Sequence, residues 1–325
     1  MTVQYNPVAL QLLAADCAAR YRDDERFMLT LEPSAHNARF VPETLRPWIA
    51  ADAALPMPAQ STPHDAYVAG ISNVIHRLAE AGEGKAVISR VVVCDAPAID
   101  TAWWCDMLGR LFAADNDSLR YVANTQAGLW IGATPERLIS IDKRTGQFST
   151  MALAGTRPLS MHGTPWDDKN IYENSLVGKY ITGRLREVGA SVAAGELTTL
   201  TYRDIEHLMQ PISGTLGNVD ATTAVDAINP TPALAGYPMD EALRIITATE
   251  AHDRGMYGGT ITLESADRLD VYVNLRCCRI SDGHVALYGG GGITSDSEPE
   301  QEWNEAASKL AAPHHIVFGD KPITE

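Results

Sequence analysis

The chain has no hydrophobic run approaching the ~18–20 apolar residues that a membrane-spanning helix needs, although 45% of its 325 residues are hydrophobic. Positive charge is scarce: 26 Lys and Arg stand against 41 Asp and Glu, a net charge of −15. That balance excludes the electrostatic footprint of a nucleic-acid binder and disfavours anionic membrane surfaces. Cysteine is rare and unpatterned. Cys17, Cys94, Cys105, Cys277 and Cys278 include no CxxC pair and no zinc-ligand spacing, so they read as small core fillers in a reducing compartment. The neighbours Cys277 and Cys278, in a strand-like run, are expected on opposite faces. The N-terminus lacks a basic n-region and carries Asp16, unlike a secretory leader. No internal repeat, low-complexity tract or clean linker divides the chain. The expectation is a cytoplasmic globular protein, long enough for one large domain or two.

What is present concentrates in the last quarter, at ALYGGGGITSDSEPEQEWNEAASK. An apolar run over 285–288 reads as a strand and breaks into four glycines, Gly289 to Gly292. Ser297 and Glu300 have the S-x-x-E spacing of a capping box with Pro299 in the first turn, so a helix is expected to begin there. On that helix Glu302, Glu305 and Lys309 share one face. Carboxylates three residues apart repel each other unless a cation sits between them. A glycine run lets backbone amides approach an anion with no Cβ in the way. The two features together suggest a metal beside a carboxylate ligand; a solvated helix face after a flexible linker is the plainer reading of the same residues.

Upstream, residues 8–21 are expected to be helical and 42–63 to form a Pro- and Ala-rich connection. Residues 66–81 place Val68, Ile71, Val74, Ile75 and Leu78 on one helical face. Gly82 and Gly84 end that helix, and a β-branched strand opens at Lys85. A lysine there ordinarily snorkels to water. A helix over 102–112 leads to short strands at 128–132, 137–141 and 148–153. The turn at 133–135 delivers Glu136, and a tight turn over 153–158 holds Gly155, which would admit a ligand close to the backbone. A long helix is expected over 167–188. Glu173 falls on its apolar stripe, where a carboxylate is costly unless a cation or donors meet it. A Thr-rich strand at 197–202, a turn over 205–214, helices at 221–228 and 240–250, and long strands at 260–263 and 269–280 complete the reading. In the last strand Arg276 shares a face with Tyr272 and Asn274, toward water or a polar cavity.

KAVISR, GATPERL, LAGTRP, KNIYENSLV, EHLMQPISGTL, NPTPALAGYP, RGMYGG, LRCCRI, YGGGGI and EPEQEWNEAASKL follow one another between Lys85 and Pro313, about 70% of the chain. In this order they resemble the chorismate-utilising enzymes, which make isochorismate, salicylate, anthranilate and aminodeoxychorismate, with isochorismate synthases nearest. The resemblance implies an α/β (α+β) fold with large antiparallel sheets forming the core and helices packed outside. Residues 61–325 would be the chorismate-binding catalytic domain and 1–60 the N-terminal portion of the same domain. Lys85 matches the lysine that activates water in isochorismate and salicylate synthases. Ala154 stands where aminodeoxychorismate synthases carry a nucleophilic lysine, and NPTPALAGYP is similar to the HPTPALxG signature of isochorismate synthases. Three positions depart from the family: Asn229 replaces the usual histidine, Gln210 a threonine or serine, and Asn170 an acidic residue. The N-terminal region is shorter than in typical bacterial members.

The implied activity is an Mg²⁺-dependent isochorismate synthase, an isomerase in which water enters at C2 of chorismate and the C4 hydroxyl leaves. Such a reaction asks for a base and an acid on opposite sides of a flat ring. The resemblance assigns Lys85 as base and Glu136 as acid, and gives Mg²⁺ to Glu173, Glu302 and Glu305. Arg276 and Tyr257 would take the enolpyruvyl carboxylate. Lys309, His207, Thr156, Gly155 and the amides of Gly290, Gly291 and Gly292 would complete the substrate cradle. Chorismate is then the expected partner, with no nucleic acid, membrane or glutamine amidotransferase subunit; the product would serve menaquinone, siderophore or salicylate formation. Two alternatives stay open, a salicylate synthase that goes on to eliminate pyruvate and a relative that binds chorismate without turnover.

Overall fold

A computed structural model describes residues 27–30, 38–41, 57–113, 118–125, 128–202 and 205–323; the helix expected over 8–21 lies outside them. Two sheets carry the fold. The first orders seven strands as β1 (Phe27–Thr30), β4 (Leu119–Thr125), β5 (Gly128–Thr134), β14 (Cys277–Ser281), β15 (His284–Ile293), β3 (Lys85–Asp95) and β11 (Gly236–Tyr237). The second orders β2 (Ala38–Val41), β12 (Thr260–Glu264), β13 (Arg268–Val273), β6 (Arg137–Asp142), β7 (Gln147–Pro158), β10 (Ile205–Thr215) and β8 (Ser191–Ala194), with β9 (Thr198–Tyr202) also paired to β10. Among the described strands the pairing is antiparallel throughout except for β1 with β4.

Among the described residues six helices pack outside: α1 (His64–Ala81), α2 (Thr101–Ala113), α3 (Asp168–Glu187), α4 (Ala221–Ile228), α5 (Met239–Thr249) and α6 (Pro299–Phe318). The strand β3 shows why the layers form. It is buried along nearly its whole length, as a β-branched strand covered on both faces should be. Ala86 and Ile88 meet Ile71, Val74 and Leu78 of α1 and Ile245 and Ile246 of α5, whereas Val91 packs with Tyr121, Trp130 and Tyr288. Farther along, Val92 joins Trp104, Leu108 and Leu111 of α2 and Leu310 of α6. Cys277 and Cys278 do face opposite cores. The core-filler reading holds for Cys94, Cys277 and Cys278, which are buried in the cores, and fails for Cys105, which is exposed and disulfide-bonded.

Several expectations are corrected. The run 269–280 is two strands in different sheets, because the backbone turns at Arg276 with φ 49°. The stretch 133–135, expected as a turn, ends β5 at Thr134 and carries the chain from the first sheet to the second. Residues 205–214 form β10 in place of a turn. Gly155 lies inside β7 with φ +90°, beside a bulge at His207 and Met209. The strand β4 was not anticipated. At α6 the helix starts as expected, but Ser297 Oγ accepts from Thr294 N at 3.1 Å, so no capping box closes.

Candidate active site

Both of the short crossings just described carry a charged residue, Glu136 after β5 and Arg276 before β14. The crossings run side by side, with Val273 N donating to Glu136 O at 2.9 Å and Ala133 N to Arg276 O at 3.2 Å. Glu136 and Arg276 line a cavity of about 340 Å³, and every residue expected from the sequence to form the site lines that same cavity. The first sheet supplies Lys85 and the glycines of β15. Gly155, Thr156 and His207 come from the second, Glu173 from α3, and Glu302, Glu305 and Lys309 from α6.

Lys85 does not snorkel. It is 3% exposed, and its Nζ donates to Glu173 Oε1 at 2.5 Å. The glycine at 292 makes this possible: a Cβ there would overlap the lysine stem and lie 2.9 Å from Nζ and 3.2 Å from Glu173 Oε1. One residue earlier, a Cβ at Gly291 would lie 2.9 Å from Glu302 Oε2 and 3.3 Å from Glu305 Oε1. The glycine run thus clears room for side chains from β3, α3 and α6, a use beyond the amide cradle expected for it.

The two α6 carboxylates differ. Glu305 accepts from Lys309 Nζ at 2.6 Å, and the same ammonium donates to Gly290 O at 2.7 Å. Lys309 therefore holds the Glu305 carboxyl below its ordinary range. Burial, followed by the charge of Glu305, pushes Glu302 up, and Glu302 Oε2 is buried with no hydrogen-bond partner. A buried carboxylate oxygen without a donor, beside a second carboxylate, suits a hard cation. Glu173 completes the acidic set only if it leaves Lys85; among the described residues no three His, Cys, Asp or Glu side chains are closed into a ligand cluster.

Opposite demands appear on the other titratable groups. Burial raises Glu136 to about 7, against the pull of Lys85 and then Lys309. His207 is pushed down to about 4, first by burial and then by Arg276 and Lys309, so it is neutral at pH 7 and its Nδ1 meets Thr156 Oγ1 at 2.9 Å. Tyr257 is stacked 5.5 Å from Tyr288, itself 5.7 Å from Trp130, and burial raises its hydroxyl further above the phenol range. The cavity can hold an anion against cationic and neutral donors while keeping one carboxyl protonated near neutrality.

Of the three departures, only Asn170 lines the cavity. Its Nδ2 donates to Asp167 Oδ2 at 2.8 Å, and its Oδ1 occupies the space a Cβ on Gly155 would need. Gln210 faces the other way, donating to Gly195 O at 3.1 Å, and Asn229 closes α4 away from the cavity. Lys169 and Arg254 also line it and were not anticipated. Lys169 lies four residues before Glu173, one turn along the same helix face, which was the available signal.

Residues 29–317 match the model of a family described as "Chorismate binding enzyme". The chain belongs to the chorismate binding enzyme family. The chain is 34% identical to isochorismate synthase MenF of Escherichia coli (strain K12) over 201 residues, 59% of the chain and 46% of the relative. It is 33% identical to anthranilate synthase component 1 of Streptomyces coelicolor over 199 residues, 56% of the chain and 38% of the relative. The matched stretch thus spans less than half the length of either. The solved structure of the "putative 2,3-dihydroxybenzoate-specific isochorismate synthase, DhbC from Bacillus anthracis" superposes with TM-score 0.71 at 23% identity, covering 81% of this chain and 75% of that one. The two antiparallel sheets and outer helices are therefore the family's fold.

Proposed function

We propose that this enzyme converts chorismate to isochorismate with Mg²⁺ bound. The observation that carries the proposal is that Lys85 and Glu136, delivered by different segments, line one cavity in which burial raises the Glu136 carboxyl to about 7. The base takes a proton from water as its oxygen bonds C2. The ring double bonds shift, the C4–O bond breaks, and Glu136 gives its proton to the departing hydroxyl. Water enters and water leaves, so the mass is unchanged. Lys85 meets the base role only after its contact with Glu173 opens and its proton is given up. Glu136 meets the acid role while it stays protonated, which burial favours.

Glu302 and Glu305, joined by Glu173, are the residues that would hold Mg²⁺; the unpartnered Glu302 Oε2 is the observation in favour. The ion would neutralise the ring carboxylate of the substrate within an acidic pocket. Arg276 and Tyr257 bind the second carboxylate, while Lys309, Thr156 and neutral His207 supply polar contacts around the ring. No described helix is long and apolar enough to cross a membrane, which fits a cytoplasmic enzyme.

The test is purified protein with chorismate, with and without Mg²⁺, the products separated by liquid chromatography with mass detection. A metal-dependent product of unchanged mass supports the reading. Salicylate plus pyruvate would extend it to the elimination, and chorismate bound but unreacted would refute turnover.

A further inference from the structure

We infer that Glu206 is a positioning residue for this site: a buried carboxylate that clips the connection 159–167 and so fixes both walls the connection joins. Glu206 is fully buried and lies on β10 directly opposite Arg157 of β7. Arg157 Nε donates to its Oε2 at 2.7 Å, and His162 Nδ1 meets its Oε1. The remaining reach of Arg157 goes along the connection. Its Nη1 donates to Thr164 O at 2.7 Å, and the guanidinium lies 4.1 Å over the Trp166 ring. Trp166 Nε1 in turn donates to Thr199 Oγ1 at 3.0 Å on β9. One carboxylate therefore organises a loop that leaves β7 and enters α3.

None of these residues lines the cavity, but their neighbours do. Alternation along a strand puts Thr156 and His207, each one residue away from the ion pair, on the opposite face, where they meet at 2.9 Å. At its far end the connection reaches Asp167, whose Oδ1 accepts Asn170 N at 2.8 Å and caps α3. The first turns of that helix carry Lys169, Asn170 and Glu173 into the cavity. The clip thus ties the polar pair on β7 and β10 to the helix that carries a candidate metal ligand. Apolar side chains of similar volume hold strands together as firmly as buried ions, which lose their hydration. A guanidinium that gives its Nε to the Glu206 carboxylate and its Nη1 to the Thr164 carbonyl adds direction, because its planar donors fix the angle as well as the distance. Direction is what a site assembled from two strands and a helix requires, since misplacing a group by about 1 Å can cost on the order of a hundredfold in rate.

The inference rests on the isochorismate synthase reading for its kinetic readout, and chorismate affinity supplies a second readout that does not. Glu206→Gln keeps the shape and removes the charge. It should lower kcat/KM at least tenfold and weaken the calorimetric Kd for chorismate, in protein that still melts cooperatively well above the assay temperature. His162→Ala removes the exposed partner alone and should lower kcat/KM about threefold. The double variant should be no worse than Glu206→Gln, because the two residues act as one unit. A lowered Tm with unchanged kcat/KM and unchanged Kd would show mere structural support and overturn the inference. If Glu206→Gln does not fold, His162→Ala decides by the same comparison. Wild-type protein that binds chorismate without product would sink the functional reading, while the Kd of the variants would still decide the clip.

Discussion

Replacing Gly292 by Ala should disable the enzyme while leaving it folded. The position is extended backbone in β15 with no positive φ, so alanine costs nothing in main-chain geometry. The added methyl instead overlaps the stem of Lys85 and sits 2.9 Å from Nζ and 3.2 Å from Glu173 Oε1, where ordinary carbon contacts begin near 3.4 Å. The lysine is enclosed and cannot swing to water, so it must shift by about 1 Å, a misplacement that can cost on the order of 10²-fold in rate. The overpacking itself should cost about 1–3 kcal/mol of stability. Gly109→Ala is the control: it lies in α2 with nothing within 4 Å of the added carbon, and should gain up to about 1 kcal/mol from helix propensity with unchanged turnover. The assay is kcat/KM for chorismate beside the thermal midpoint for both variants. Gly292→Ala with activity within twofold of wild type and an intact fold would refute the placement of Lys85 in the chemistry.

Glu136→Gln should abolish turnover, and in the wild type the Glu136 limb of kcat/KM should fall as pH rises through about 7, where the acid loses its proton; a flat profile from pH 6 to 8 would remove Glu136 from the acid role. The same variant should be more stable than wild type above pH 7. The folded carboxyl, raised from 4.5 to about 7, holds a proton that the unfolded chain has lost. Stability therefore declines as pH rises across that window, by roughly 1–3 kcal/mol, and thermal melts at pH 5 and 8 would measure the difference. Glu302→Ala should raise the Mg²⁺ concentration for half-maximal rate tenfold or more, and an unchanged metal titration would take Glu302 out of the ligand set. Trp104→Ala, at a fully buried ring, should cost about 3–5 kcal/mol by chemical denaturation without changing the pH profile.

The helices α1, α2 and α3 and the strand β3 were legible because a single periodicity governs each: Ile71, Val74 and Leu78 repeat at helical spacing, and β3 is β-branched between glycines and an acidic end. The crossings were not. Residues 269–277 alternate straight through position 276, and the break at Arg276 is made by a positive φ in a residue that rarely adopts one; no glycine or proline marks it. Residues 205–214 contain Pro211 and Gly214, residues that usually break a strand, yet both are paired in the ladder with β7. The site divides the same way. Spacing singled out Glu302, Glu305 and the glycine run, and resemblance carried the roles to their residues one at a time. What no linear reading supplied is that Lys85 and Glu173 meet over Gly292 while Glu302 and Glu305 meet over Gly291. Those contacts depend on β15 lying antiparallel to β3 in one register, since a slip of one residue would turn each glycine to the other face. The glycines therefore constrain register as well as chemistry: a Cβ at Gly290 would lie 2.5 Å from Ile88 O and one at Gly289 2.8 Å from Ala306 O, so side chains are excluded on both faces of the strand, toward β3 and α6 as much as toward the cavity.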